Sequence, residues 1–386
     1  MRVSYRQAKR LWRRYRARGE PGLVHGLRGK PSNRQTDEVQ RQRIIQLYQE
    51  RYTGFGATLA AECLLEEDKL DVPVETLRTW LKREGLWQRR RKSQPHRSWR
   101  PRRERSGELV QIDGSPHDWF EGRGPKAVLL EMVDDATGRT LSRFYEEETT
   151  EAAMDLFARY AAKYGLPQAL YSDHDSIYET SLKTSTKEAL RGEEPLTQLG
   201  RAMKELGVHI ILANSPQAKG RVERRHGVMQ DRLVKMMRLK KISDIESANR
   251  FLDGGFLAKE NLKFVKKASC PKDGHRQVPQ GIDLRVVLSI QEERVVQNDW
   301  TVVWHHRWFQ LEPAEQKQRL VKKKVQVCRL LDGTMRLQYR GRELQWKELP
   351  ERPARVKASK PKLVATGKPV RKPRADHPWR KTRVVV

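Results

Sequence analysis

Cysteine, acid and long apolar runs are all scarce in this sequence. Its three cysteines, Cys63, Cys270 and Cys328, are odd in number and far apart, which fits neither a disulfide framework nor a zinc site. No apolar run approaches the roughly 20 residues of a membrane-spanning helix, and residues 1–19 are arginine-rich rather than signal-like. A soluble, intracellular protein without membrane partners is expected. The shortage of acid is more telling. Against 79 Lys and Arg there are 49 Asp and Glu, giving a net charge of +30 over 386 residues. That imbalance is the electrostatic footprint of a polyanion binder, with nucleic acid the first choice.

Basic residues are concentrated at the front. Residues 1–19 hold eight of them and no acid, on a short helix expected to end near Gly19. Lys9, Arg10, Arg13 and Arg14 would face DNA, with Leu11, Trp12 and Tyr15 as the anchoring side. Region 1–33 reads as a partial helix-turn-helix whose recognition helix is present and whose preceding helices are not. Region 34–87 predicts three further helices and a second DNA-binding domain, the last helix basic through Arg78 and Lys82 and apolar through Leu77, Trp80 and Leu81. Region 88–105 has nine basic residues, one acid and two prolines, and is expected to be a linker.

From 106 to 262 the pattern changes to strands alternating with helices, an α/β order with a mixed sheet. Strands are expected to end at Asp113 and at Asp173, and the turn Asp135-Ala136-Thr137-Gly138 joins two more. Region 284–349 returns to a β pattern and suggests a small β-barrel. Region 350–386 is basic and proline-containing, and is expected to be disordered until it meets an anion. The expected fold class is therefore multidomain: helical front, α/β core, small β-domain and basic tail.

One stretch, ANSPQAKGRVERRHG (213–227), sets a single acid, Glu223, among Lys219, Arg221, Arg224, Arg225 and His226. An i,i+4 pair between Lys219 and Glu223 would be an ordinary explanation. The alternative is convergence. Asp113 and Asp173 at strand ends and Glu223 at a helix start are three acids on separate elements, and like charges that converge call for a hard divalent cation such as Mg²⁺. Two ions about 4 Å apart can promote an in-line phosphoryl displacement, while Lys219, Arg221, Arg224 and Arg225 hold the polyanion. Asp134 and Asp135 are expected to serve the hairpin turn. Asp118 could support the first acid, and His226 could face either the site or a phosphate.

The motifs QIDGSPHDWFEGRGP, VDDATGR, LYSDHDSIY, LTQLGRAMKELGVHIILANSPQAKGRVERRHGVMQDRLVK and ADHPWR together resemble those of the DDE transposases of the ISNCY type, in the retroviral-integrase superfamily. The resemblance spans nearly the whole chain. It departs at His117, at the HD after Asp173 and in the segment FLDGGFLAKENLKFVKKAS. It implies an RNase H-like core with Asp113, Asp173 and Glu223 as catalytic and metal-binding acids for Mg²⁺ or Mn²⁺, a helix-turn-helix front end and a small β-domain behind. It also implies strand cleavage and strand transfer at transposon ends, double-stranded DNA as end and target, a homo-oligomer on that DNA, and a cytoplasmic, nucleoid-associated setting in a prokaryote. Two other readings stay open at this point. One is a catalytically inactive DNA-binding protein or repressor, for which the basic helices suffice; the other is a plain RNase H-like nuclease or resolvase, which needs no sequence-reading front end.

Overall fold

A computed structural model describes residues 3–24, 28–29, 36–88, 101–180, 195–212, 220–351 and 376–377. The chain divides into two compact units, one of residues 1–290 with 330–334, the other of 291–329 with 335–386. Most of the linker 88–105 and of the tail 350–386 lies outside the described residues, as does Lys219. Among the described residues no helix is long and apolar enough to cross a membrane.

The first unit opens with α1 (Tyr5–Arg18), capped by Ser4, whose hydroxyl accepts from the Gln7 amide at 3.3 Å. A short 3₁₀ turn, Glu20–Leu23, folds back on it. Gly22 is required there, since a Cβ would lie 2.2 Å from the Arg14 carbonyl oxygen. No side chain of α1 is buried, and Tyr5 and Trp12 are 82% and 61% exposed. The expected helix-turn-helix is thus a helix and turn without a packed helical partner among the described residues. Its polar spacing leaves too few apolar positions to build a core by itself.

Three helices follow, α2 (Glu38–Arg51), α3 (Ala57–Glu66) and α4 (Val74–Arg83). They close over one apolar cluster that includes Ile44, Tyr48, Tyr52, Phe55, Leu64 and Leu77. The Tyr48 hydroxyl donates to the Phe55 carbonyl at 2.7 Å, so burying the phenol strands no polar group.

The central sheet has five strands: β1 (Leu109–His117), β2 (Ala127–Asp134), β3 (Thr140–Tyr145), β4 (Ala169–Ser172) and β5 (His209–Leu212). Their order is β3-β2-β1-β4-β5, with β1, β2 and β3 antiparallel and β1, β4 and β5 parallel, so the expected mixed sheet is present. The β2–β3 turn is tied by Asp134, which accepts from the Thr137 amide and hydroxyl at 2.8 and 2.6 Å, and Gly138 takes φ 76°. Crossover helix α5 (Thr150–Tyr164) packs on β2 and β3, and α6 (Gln198–Glu205) precedes β5. The long helix α7 (Gly220–Leu239) lies on β1 and β2. Helices α8 (Ile245–Phe251) and α9 (Leu257–Phe264) flank a π-turn in which Gly255 has φ 122°.

The second unit contains β6 (Ile290–Val295), β7 (Thr301–Trp304), β8 (Arg307–Leu311), β9 (Lys324–Arg329), β10 (Met335–Tyr339), β11 (Arg342–Glu343) and β12 (Trp346–Leu349). They form a four-stranded sheet, β11-β10-β9-β6, and a three-stranded one, β12-β8-β7, about a shared core with Val302, Phe309, Val327 and Leu337. Among the described residues the expected small barrel is not closed. The edge strand β11 has two residues, too few to carry a ladder from one sheet to the other.

Candidate active site

Asp113 is not at a strand end as expected but in the middle of β1. Gly114-Ser115-Pro116 reads as a turn, yet these residues pair in register with Leu130, Leu129 and Val128 of β2, and the partner strand carries them on to His117. Asp173 directly follows β4, the parallel neighbour of β1, and Glu223 lies in the first turn of α7.

Helix α7 is laid along β1 in matched steps. The Val222 amide donates to Gln111 at 3.2 Å, His226 Nδ1 stands 3.9 Å from Asp113 Oδ2, and Gln230 donates to the Ser115 hydroxyl at 3.0 Å. Four helical residues advance about 6 Å and two strand residues about 6.6 Å, so an i,i+4 stripe can follow an i,i+2 strand face with little drift. Glu223 and His226 are three apart, hence neighbours on the helix surface.

Two acids unnoticed in the sequence belong to this neighbourhood. Glu131 is the cross-strand partner of Asp113 and is fully buried, with His226 Nε2 at 3.4 Å and the Ser142 hydroxyl donating at 2.8 Å. Burial pushes its carboxyl up to about 7, against the pull of the Arg225 charge and the Ser142 hydrogen bond, with Asp113 adding to the rise. Its signal was present in the sequence, as a lone acid inside the apolar run AVLLEMV. Glu148 packs against Gly114, where an added Cβ would meet its Oε2 at 1.9 Å. Nothing in the run EEE of 146–148 distinguishes it.

Tyr178 reports how the acids gather. It is 5% exposed, and its hydroxyl has no hydrogen-bond partner among the described residues. Burial first, then the charges of Glu148, Asp173, Asp113 and Asp175, hold its ionisation well above the ordinary tyrosine range. The β1–β4 edge is therefore a region of accumulated negative charge.

Carboxylate oxygens are the donor set a hard cation prefers, but among the described residues no three acid, His or Cys side chains are gathered closely enough to hold an ion. Asp113, Asp173 and Glu223 do not form a ready-made cage. That is compatible with Mg²⁺, which usually keeps several waters and takes one or two carboxylates together with substrate phosphate oxygens.

The expected DNA contacts separate into two groups. Lys9, Arg10, Arg13 and Arg14 stand exposed on α1, although Arg14 also donates to the Val24 carbonyl at 2.7 Å. Lys82 and Arg224 are exposed, and Arg78 pairs with Glu75 on its own helix. Arg221 and Arg225 instead turn inward. Arg221 Nε donates to the buried Asp135 at 2.7 Å, while Arg225 is 6% exposed beside the Phe264 ring. Helical rotation explains the division, because residues near 222, 225 and 226 face the sheet and 224 does not. Asp134 serves the hairpin as expected, whereas Asp135, expected to do the same, accepts from Arg221 of α7; Asp118 accepts from the Gly122 amide at 3.0 Å.

Comparison with known proteins places relatives beside this geometry. A protein of Sinorhizobium fredii named as a transposase, y4bF, is 38% identical over 347 residues, covering 89% of this chain and 75% of y4bF. The transposase for insertion sequence IS1202 of Streptococcus pneumoniae is 28% identical over 388 residues, covering 90% of this chain and 81% of its own. The catalytic core of BIV integrase, 95% of it covered, matches 41% of this chain at 18% identity with a TM-score of 0.28, too slight a likeness to carry an argument. No family model matches the chain.

Proposed function

The chain belongs to the transposases, and from that premise we propose that it is a DDE enzyme of the retroviral-integrase superfamily that cleaves DNA at transposon ends and joins the freed strand to target DNA. The observation that carries this reading is the placement of Asp113 on β1 and of Asp173 just past the end of its parallel neighbour β4, with Glu223 in the first turn of the helix that rides on β1. These three are the proposed catalytic acids.

Bound Mg²⁺ or Mn²⁺, as one or two ions, would supply an activated oxygen nucleophile and charge neutralisation at the leaving oxygen. Asp113 and Asp173 would hold the metal from the strand side and Glu223 from the helix side, with phosphate oxygens completing its shell. His226 lies between Asp113 and Glu131, 3.9 Å from the first and 3.4 Å from the second. Water attacks the phosphodiester at the element's end and releases a 3′-OH; that hydroxyl then attacks target phosphate in the second displacement. The exposed cations of α1, with Lys82, Arg224 and Lys219, would neutralise the duplex backbone, and a homo-oligomer would bring two ends together. Helices α2 to α4 would form a second DNA-binding domain. A cytoplasmic, nucleoid-associated location follows from that substrate.

The test is Glu223→Gln, which keeps size and removes charge. Strand cleavage of labelled end DNA in Mn²⁺ should fall by orders of magnitude while DNA affinity is kept, and Asp113→Asn and Asp173→Asn should behave alike. A Glu223→Gln protein as active as the parent would show an ion-pairing acid only. A parent that binds DNA but cleaves in neither metal would favour the alternative of an inactive DNA-binding protein.

A further inference from the structure

Behind the proposed acids lies a buried polar chain that the reaction does not itself use. Asp135 has no exposed surface, nor has Gln111. Asp135 Oδ1 accepts from Gln111 Nε2 at 3.0 Å and from Arg221 Nε at 2.7 Å, and its Oδ2 accepts from the Arg103 amide at 2.8 Å. Gln111 then accepts from the Val222 amide at 3.2 Å through its other amide atom. The donor–acceptor order runs from helix amide through glutamine to carboxylate, and each group has the polarity its neighbour needs.

The helix end is where such a chain matters. The first amides of a helix have no intrahelical acceptor, and the first turn is the part that frays. Here Gln111 takes up the amide of the third residue of α7, and Asp135 takes up the charged side chain of the second. Glu223 is the next residue. A turn-forming acid would need only its own hairpin; that task falls to Asp134, which binds Thr137. Asp135 reaches instead across to a different element.

We propose that Asp135 is a positioning residue which, through Gln111 and Arg221, fixes the first turn of α7 and thereby the place of Glu223 relative to Asp113. This rests on Glu223 being a catalytic acid. Arg221 is accordingly assigned to the clamp and removed from the DNA-contacting set. The geometric demand is strict, because misplacing a reacting group by about 1 Å can cost about a hundredfold in rate.

Asp135→Asn tests the clamp. An amide has one acceptor where the carboxylate has two, so at least one of its three donors is left facing an N–H. In the full chain, with labelled end DNA and Mn²⁺, the expected result is cleavage at saturating DNA reduced about a hundredfold, a Kd for that DNA unchanged, and faster exchange of the Val222 amide. Gln111→Glu alone should behave similarly, because it sets two carboxylates together. The double variant Gln111→Glu/Asp135→Asn restores the link between the two side chains with its polarity reversed, residue 135 donating to a carboxylate that still accepts from the Val222 amide, while Arg221 loses its acceptor on residue 135, so it should recover part of the rate lost by either single variant. A simple structural role would lower unfolding stability and DNA affinity together, without rescue of rate, and that outcome overturns the proposal. So does full cleavage by Asp135→Asn when Glu223→Gln is inactive. If Glu223→Gln itself cleaves normally, the catalytic reading of Glu223 fails first, and the clamp loses its object.

Discussion

Arg232→Met is a perturbation whose cost can be worked from the structure. Arg232 lies on α7 and is 7% exposed; its Nε donates to Glu260 of α9 at 3.0 Å and its terminal nitrogen to Glu62 of α3. It therefore joins the three-helix cluster to the core. Methionine is close in length and apolar, so the volume is largely kept and the loss is electrostatic. Glu260, 2% exposed, then keeps its charge in a dry site with Lys263 at 3.9 Å and the buried Arg225 charge also acting on it. Removing one partner of a buried pair costs about 3–5 kcal/mol, and the Lys263 charge places this case near the lower end. Glu62 contributes less, about 1 kcal/mol or below, because it is partly exposed and retains Lys263 at 2.6 Å.

Urea unfolding at constant m should show that loss, and Arg232→Met/Glu260→Met should recover most of it, since an apolar replacement of a buried pair is often neutral. A loss under about 1 kcal/mol, or a double variant as unstable as the single one, would refute the reasoning. The acid limb gives an independent check. Burial works to raise the Glu62 carboxyl, but hydrogen bonds from Arg232 and Lys263 outweigh it and hold the group below its ordinary value. A depressed folded pKa means stability that is present at neutral pH and lost as pH falls through the folded value. Arg232→Met should therefore lose less stability than the parent between neutral and acid pH.

Two further outcomes are expected. Gly114→Ala drives a Cβ into the Glu148 carboxylate, the far end of a flexible, half-buried side chain, so Glu148 should swing aside at a cost of about 1 kcal/mol, read by thermal unfolding; a loss well above about 3 kcal/mol would mean Glu148 is held there rigidly. Deleting residues 352–386, which carry twelve basic residues and one acid, should flatten the dependence of duplex affinity on salt, and an unchanged slope in a salt titration would place those charges away from DNA.

By itself the sequence determined the family, the charge and the order of elements. A long block such as SPQAKGRVERRHG is specific because many positions must agree at once, and a net charge of +30 survives any arrangement of the chain. Strand and helix periods are local too, so the strands, crossover helix and α7 were legible from spacing. Tertiary structure decided what local rules cannot reach. Asp113 is mid-strand because β2 pairs through Gly114-Ser115-Pro116, a partner lying beyond the window in which those residues look like a turn. Arg221 and Arg225 face inward because the rotation of α7 on β1 turns them to Asp135 and Phe264, although their neighbours in sequence are equally basic. Glu148, thirty-four positions from Gly114, comes to rest on it only after β3 returns the chain across the sheet. The β-domain was expected to be a small barrel and shows two sheets instead, since strand patterning is the same in both and only the pairing of edges distinguishes them.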